Sequence, residues 1–205
     1  MYVIKGGETQ KPERIIHMTK CLHPRIALRL MTEFLSAACD LTYNAKKENG
    51  IIYLYSDADK EKDPTIQSYP MECVIRKGDY FATYGGEDDT LYFTYNYEEL
   101  DSLDIQILKI FLSEHFPNAL GYHFIVFTLL HEMGHNETRH LLKNYDRQKE
   151  LEKISNLNNP MQSTLEYFML PDEILATNWA AEWLQNENNQ RIAKAFEEKF
   201  LACFE

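Results

Sequence analysis

Apolar positions along this chain change their period twice, and the changes divide it into a leading helix, a run of short strands and a helical remainder. Residues 1–20 show little periodicity and read as an extended or loosely docked arm. From His23-Pro24 onward, Ile26, Leu28, Leu30, Met31, Phe34, Leu35, Ala38 and Leu41 recur at steps of three and four, with the proline suited to a first helical turn. The spacing predicts a helix that ends near Lys47, where Glu48-Asn49-Gly50 stops it. Ile51 to Tyr55 is β-rich, and Ser56 to Pro70 is a polar loop. Met71 to Arg76, Tyr80 to Tyr84 and Leu91 to Tyr97 then read as strands, with turns at Lys77-Gly78-Asp79 and from Gly85 to Asp89. This is a meander pattern and predicts a small, mostly antiparallel sheet.

From Glu98 the pattern is helical almost throughout. Expected helices span Leu103 to His115, Ala119 to about Asn144, and Arg147 to Ser155. A break follows at Asn158-Asn159-Pro160, and two further helices run from Pro171 to Gln185 and from Asn188 to Cys203. The order of helix, sheet and helices gives an α+β fold class. With 205 residues, 44% of them hydrophobic, the chain can bury one substantial core. We therefore expect a single domain over 1–205, made of the arm at 1–20, a helix-plus-sheet layer at 21–118 and a helical half at 119–205.

Charge narrows the range of partners. A formal charge of −11 repels phosphate backbones, so nucleic-acid binding through a basic face is not expected. The acidic residues are interspersed with Lys and Arg, unlike the continuous tract of a nucleic-acid mimic. No stretch approaches the roughly 20 apolar residues of a membrane span, and the opening residues lack the apolar region of a signal peptide. Cys21, Cys39, Cys73 and Cys203 are scattered without metal-binding spacing and read as thiols. A cytoplasmic location is the expectation.

Residues 131–135 read His-Glu-Met-Gly-His. Helix positions four apart lie on one face, so both imidazoles can reach one ion. Glu132 stands beside the first histidine, where a carboxylate can take the proton of a water that the metal has acidified. The run from Phe124 to Leu130 enters the motif without Gly or Pro and is apolar nearly all round, which predicts a buried helix. Burying two histidines and a glutamate there is costly without a partner, and zinc is one.

A catalytic zinc takes three protein ligands and leaves a position open. The longer pattern HExxHxxGxxH fails, because Thr138 replaces its glycine and Leu141 its third histidine. His140 follows His131 by nine residues, a turn of about 180° on a helix, and faces away. The best third ligand is Glu173, 38 residues beyond His135. Ala176, Thr177 and Ala180 share its helical stripe, and such small residues let one helix approach another closely. Gly134 gives similar room on the motif helix. Asp172 reads as a helix N-cap, and Glu166 and Glu182 are weaker alternatives as ligands.

The sequence His131-Glu-Met-Gly-His135, followed by Glu173-Ile-Leu-Ala176-Thr-Asn-Trp179-Ala180, resembles the ImmA/IrrE-type zinc peptidases. In that family HExxH precedes a helix of the form E-x-x-A-x-x-[FW]-A. The resemblance covers about residues 119–185. It implies a zincin-like minimal metalloprotease fold, with His131, His135 and Glu173 as zinc ligands and Glu132 as the catalytic base. It also implies a protein or peptide substrate, such as a regulatory protein in a phage or mobile-element context. A small sheet packed on the motif helix is expected by analogy, and Leu91 to Tyr97 is the expected edge strand for holding substrate backbone.

The expected reaction is metal-assisted peptide hydrolysis. Tyr167, Tyr145 and His123 are the side chains available to hold the oxyanion. Two histidines and a carboxylate also describe a non-haem iron site, but that chemistry has no use for Glu132. The alternative from another class is a non-catalytic regulatory or binding protein of the same fold, with its metal structural or absent.

Overall fold

The structure is a computed structural model that describes residues 20–49, 51–56, 72–76, 82–85, 90–94, 96–97, 110, 113–114 and 124–203. Its described part is α+β, with six α-helices and a mixed five-stranded sheet. Of the arm expected at 1–20, only Lys20 is described. It begins β1 (Lys20–Cys21), which pairs with β7 (Asn96–Tyr97).

Helix α1 (Pro24–Cys39) starts as its sequence predicts. His23 is the N-cap, its Nδ1 accepting from the Arg25 amide at 3.2 Å, and Pro24 occupies the first turn. Ala27, Leu30, Met31, Phe34 and Leu35 are buried on one face. The helix ends eight residues before the expected Lys47, where Asp40 turns left-handed (φ 54°) and its amide bonds the Ser36 carbonyl. Residues Tyr43–Glu48 form β2 instead, hairpinned to β3 (Ile51–Ser56) with Glu48 opposite Ile51. The stop expected at Glu48-Asn49-Gly50 is thus replaced by strand pairing up to Glu48, and Asn49 adopts the positive φ (50°) common in hairpin turns. β2 is exposed over Lys46–Glu48, a charged edge that discourages further pairing.

The remaining strands are β4 (Glu72–Arg76), β5 (Ala82–Gly85) and β6 (Thr90–Thr94), and the sheet order is β2-β3-β4-β6-β5. The expected meander is corrected here. β6 pairs in parallel with β4 and antiparallel with β5, so the expected edge strand lies inside the sheet and β5 forms the edge. Burial accounts for the exchange. Leu91 and Phe93 are wholly buried beside Cys73 and Ile75, whereas β5 is only Ala-Thr-Tyr-Gly.

Helix α2 (Phe124–Thr138) carries the motif and is followed by a 3₁₀ turn (Arg139–Leu141), so it stops short of the expected Asn144. Val126, Phe127, Leu129, Leu130 and Met133 are buried, as an all-round apolar helix requires. Helix α3 (Arg147–Ser155) has its expected bounds, with Asp146 as N-cap. Asn159 caps a helix not anticipated, α4 (Pro160–Phe168), so the Asn-Asn-Pro break is a start signal as much as a stop. Helices α5 (Pro171–Trp183) and α6 (Glu187–Leu201) complete the chain. One apolar cluster joins α1, the sheet, α2, α5 and α6, with the Phe34 and Phe196 ring centroids 4.9 Å apart and their planes tilted by 53°. Of the helix expected over Leu103 to His115, only Ile110, Ser113 and Glu114 are described. Among the described residues, no helix is long and apolar enough to cross a membrane.

Candidate metal centre

The apolar burial of α2 fixes where its three polar residues can go. His131 and His135 lie one turn apart, with ring centroids separated by 4.8 Å and planes at 83°. Helix α5 crosses against this turn at very short range. A Cβ built on Gly134 would stand 2.5 Å from the Ala176 carbonyl oxygen and 2.9 Å from its Cα, so only glycine admits the approach. The small-residue stripe of α5 therefore carries out the role its sequence predicts. One turn before Ala176, Glu173 reaches the histidines: its Oε2 is 3.0 Å from His131 Nε2 and 3.5 Å from His135 Nε2.

These three residues could hold a metal ion, since one donor atom from each lies within 4.8 Å of the others. Donors bound to one zinc in a tetrahedron stand about 3.3 Å apart, near the two separations to Glu173. The protonation chemistry fits as well. His131 Nδ1 lies 3.0 Å from the Thr177 hydroxyl, and a proton given to Thr177 leaves Nε2 with the lone pair a metal needs. Either a shared proton or a shared cation can join Nε2 to Glu173 across that distance, so the two compete for one position. Burial alone would lower the His131 pKa, but the hydrogen bond to Glu173 and the charges of Glu132 and Glu173 outweigh it and raise it. Burial likewise opposes ionisation of Glu173, yet the hydrogen bonds from His131 and His135 hold its carboxyl well below the usual range.

Glu132 is outside this trio and turns toward the sheet. Its Oε2 accepts a 2.7 Å hydrogen bond from the Tyr84 amide of the edge strand β5. Burial raises its pKa, with the two histidines pulling the other way. The Tyr84 ring stacks on His135 at 6.1 Å, and its hydroxyl accepts from Arg139 Nη1 at 3.3 Å. The edge strand thus supports both Glu132 and His135.

The other residues singled out in the sequence divide clearly. Tyr167 comes next to the trio, its hydroxyl accepting from Arg147 Nη2 at 2.9 Å; burial and the charge of Glu173 raise its pKa. Tyr145 instead donates to Asp172 Oδ1 at 2.9 Å. Asp172 is not the N-cap of α5. Leu170 holds that position, and Asp172 is a buried first-turn residue paired with Arg147. Glu166, Glu182 and His140 are exposed and outside the site. His123 lies outside the described residues. Sequence reasoning missed Arg147 and Tyr84, which arrive from distant elements. Thr177 was visible as one of the small residues on the Glu173 stripe, though not as a partner of His131.

A cleft of about 450 Å³ opens between α3, α4 and the start of α5, lined by Tyr145, Ile154, Leu157 and Met169 among others. It includes none of the three donors, and the convergent polar chemistry is on the α2 side. No protein-family model, no curated protein and no solved structure matches this chain.

Proposed function

We propose that this protein is a zinc-dependent metalloendopeptidase. The observation that carries the reading is Glu132: a half-buried acid directly beside the His131, His135 and Glu173 group but not part of it, held by a backbone amide of the sheet edge. A purely structural metal site has no need of a fourth acidic group kept free of the metal. The resemblance of residues 119–185 to the ImmA/IrrE-type peptidases supports the same reading and favours a regulatory protein as substrate.

His131, His135 and Glu173 would hold the zinc. When bound, zinc polarises a scissile carbonyl and acidifies the attacking water. Glu132 accepts the water proton as the oxygen adds to the carbonyl carbon, and delivers that proton to the amine as the C–N bond breaks. Its raised pKa suits both halves of this exchange, because a very weak base would not take the proton. The Tyr84 hydrogen bond keeps the carboxylate from swinging onto the histidines. Strand β5, rather than β6, is the edge along which an extended peptide would lie past Glu132. Of the candidate oxyanion groups among the described residues, Tyr167 rather than Tyr145 is set beside Glu173.

Elemental analysis of wild type and Glu173→Ala, side by side, tests the site. About one zinc per wild-type chain and a clear loss in the variant are expected. Wild type that takes up no metal when zinc is supplied would overturn the proposal and leave a binding protein.

A further inference from the structure

Arg147 opens α3 and belongs to no zinc-binding pattern, yet several side chains around the trio meet at its guanidinium. Nη2 donates to Glu173 Oε1 at 2.8 Å and to the Tyr167 hydroxyl at 2.9 Å, while Nη1 pairs with Asp172. The guanidinium carbon is 5.6 Å from the centre of the Tyr167 ring. Asp146 caps α3 by accepting from the Lys149 amide at 3.1 Å, which fixes the turn from which Arg147 projects. Asp172 and Glu173 are adjacent buried carboxylates, and Arg147 is the cation that contacts both.

Glu173 therefore divides its oxygens. Oε1 faces Arg147, and Oε2 faces the two imidazoles. We propose that Arg147 is a positioning residue that sets the coordination number of the site, by holding Oε1 so that Glu173 offers the metal one oxygen rather than two. The proposal rests on the trio being a metal site, and not on which reaction that site performs. An unrestrained glutamate can chelate through both oxygens, as larger oxygen-seeking cations prefer. With Oε1 occupied, the protein supplies three donors, the number that leaves a four-coordinate zinc one open position. Arginine suits the task because its planar fork reaches several acceptors at fixed angles. A lysine in its place would bring the charge without the geometry. Outer hydrogen bonds of this kind typically change metal affinity by about 10- to 100-fold.

The test is cobalt substitution of wild type, Arg147→Lys and Arg147→Met, reading the visible absorption that is intense for four-coordinate and weak for higher-coordinate cobalt. Zinc affinity by chelator competition and melting of the metal-free forms are measured alongside. We expect an intense band in wild type, a weakened band in both variants, and zinc affinity lower by about 10- to 100-fold in Arg147→Met, with part of that loss recovered in Arg147→Lys. Bands as intense as wild type in the variants would overturn the proposal even if affinity or stability falls, because charge or folding alone would then explain the loss. Should Arg147→Met not fold, Arg147→Lys decides by the same band. Wild type that binds neither metal would overturn the metal site and this proposal together. Wild type that binds cobalt but cleaves no peptide would defeat only the hydrolytic reading.

Discussion

Glu132 and Glu173 feel the charge of the same two histidines and are driven in opposite directions. Burial dominates at Glu132 and raises its pKa, whereas at Glu173 the hydrogen bonds from His131 and His135 overcome burial and lower it. The linkage signs follow. Glu173 contributes stability that is present above the ordinary glutamate value and lost as pH falls toward its depressed one. Glu132 does the reverse: its ionisation destabilises the metal-free fold as pH rises from the ordinary glutamate value through its raised one. Glu132→Gln should therefore keep the metal, lower turnover by about 10²- to 10⁴-fold, and melt higher than wild type in the metal-free state once the pH passes the raised Glu132 pKa. Metal content, a peptide-cleavage assay and thermal melts at acid and alkaline pH check this. Turnover equal to wild type would remove Glu132 from the mechanism, and equal melting would show that its charge is well solvated. The pair of histidines with Glu132 was legible from five residues, because the helical period places them without help from the rest of the chain. Arg147 was not, since its partners Tyr167, Asp172 and Glu173 lie 20 to 26 residues away in sequence.

Between elements, the approach of α2 to α5 determines whether Glu173 reaches the histidines at all. Gly134 stands against the Ala176 backbone, which cannot move aside as a flexible side chain could. Alanine is the better helix former by about 1 kcal/mol, but overpacking at such a contact costs about 1–3 kcal/mol. Gly134→Ala should thus destabilise the fold and weaken metal binding together, since pushing α5 away withdraws Glu173. Urea unfolding and zinc competition would show it, and a variant as stable and as tightly metallated as wild type would disprove the close crossing. Element types were read correctly where the helical period had no rival, as in α1, α3 and α5. Errors arose where one local signal serves two structures. Asn49-Gly50 ends a helix or turns a hairpin, and Asn159-Pro160 ends one helix or begins another.

Across the whole molecule, the trio draws its side chains from α2 and α5, Glu132 is steadied by β5, and Arg147 arrives from α3. A cation bound here would tie separate segments together and stabilise the folded chain by mass action. Zinc should raise the melting temperature, and the rise should shrink as pH is lowered. The proton on His131 competes for the same position, and its raised pKa starts that competition at a higher pH than for an ordinary histidine. The stability that this proton gives the metal-free fold has the opposite dependence, being complete below the ordinary histidine value and lost as pH rises through the raised one. Calorimetry with and without zinc across this range measures both, and a zinc-induced shift independent of pH would argue against His131 as a ligand.

What the sequence determined by itself is local: a buried apolar helix, two histidines and an acid on its turn, and a second helix whose small residues invite close contact. These follow from helical period and side-chain size, which act over a few residues. Only the tertiary structure decided the insertion of β6 between β4 and β5, the choice of β5 as the edge beside Glu132, and the reach of Arg147 to Glu173. Those depend on which apolar strand is buried most deeply and which distant cation neutralises a buried pair of acids. Both are competitions among segments far apart in the chain, and no local pattern records their outcome.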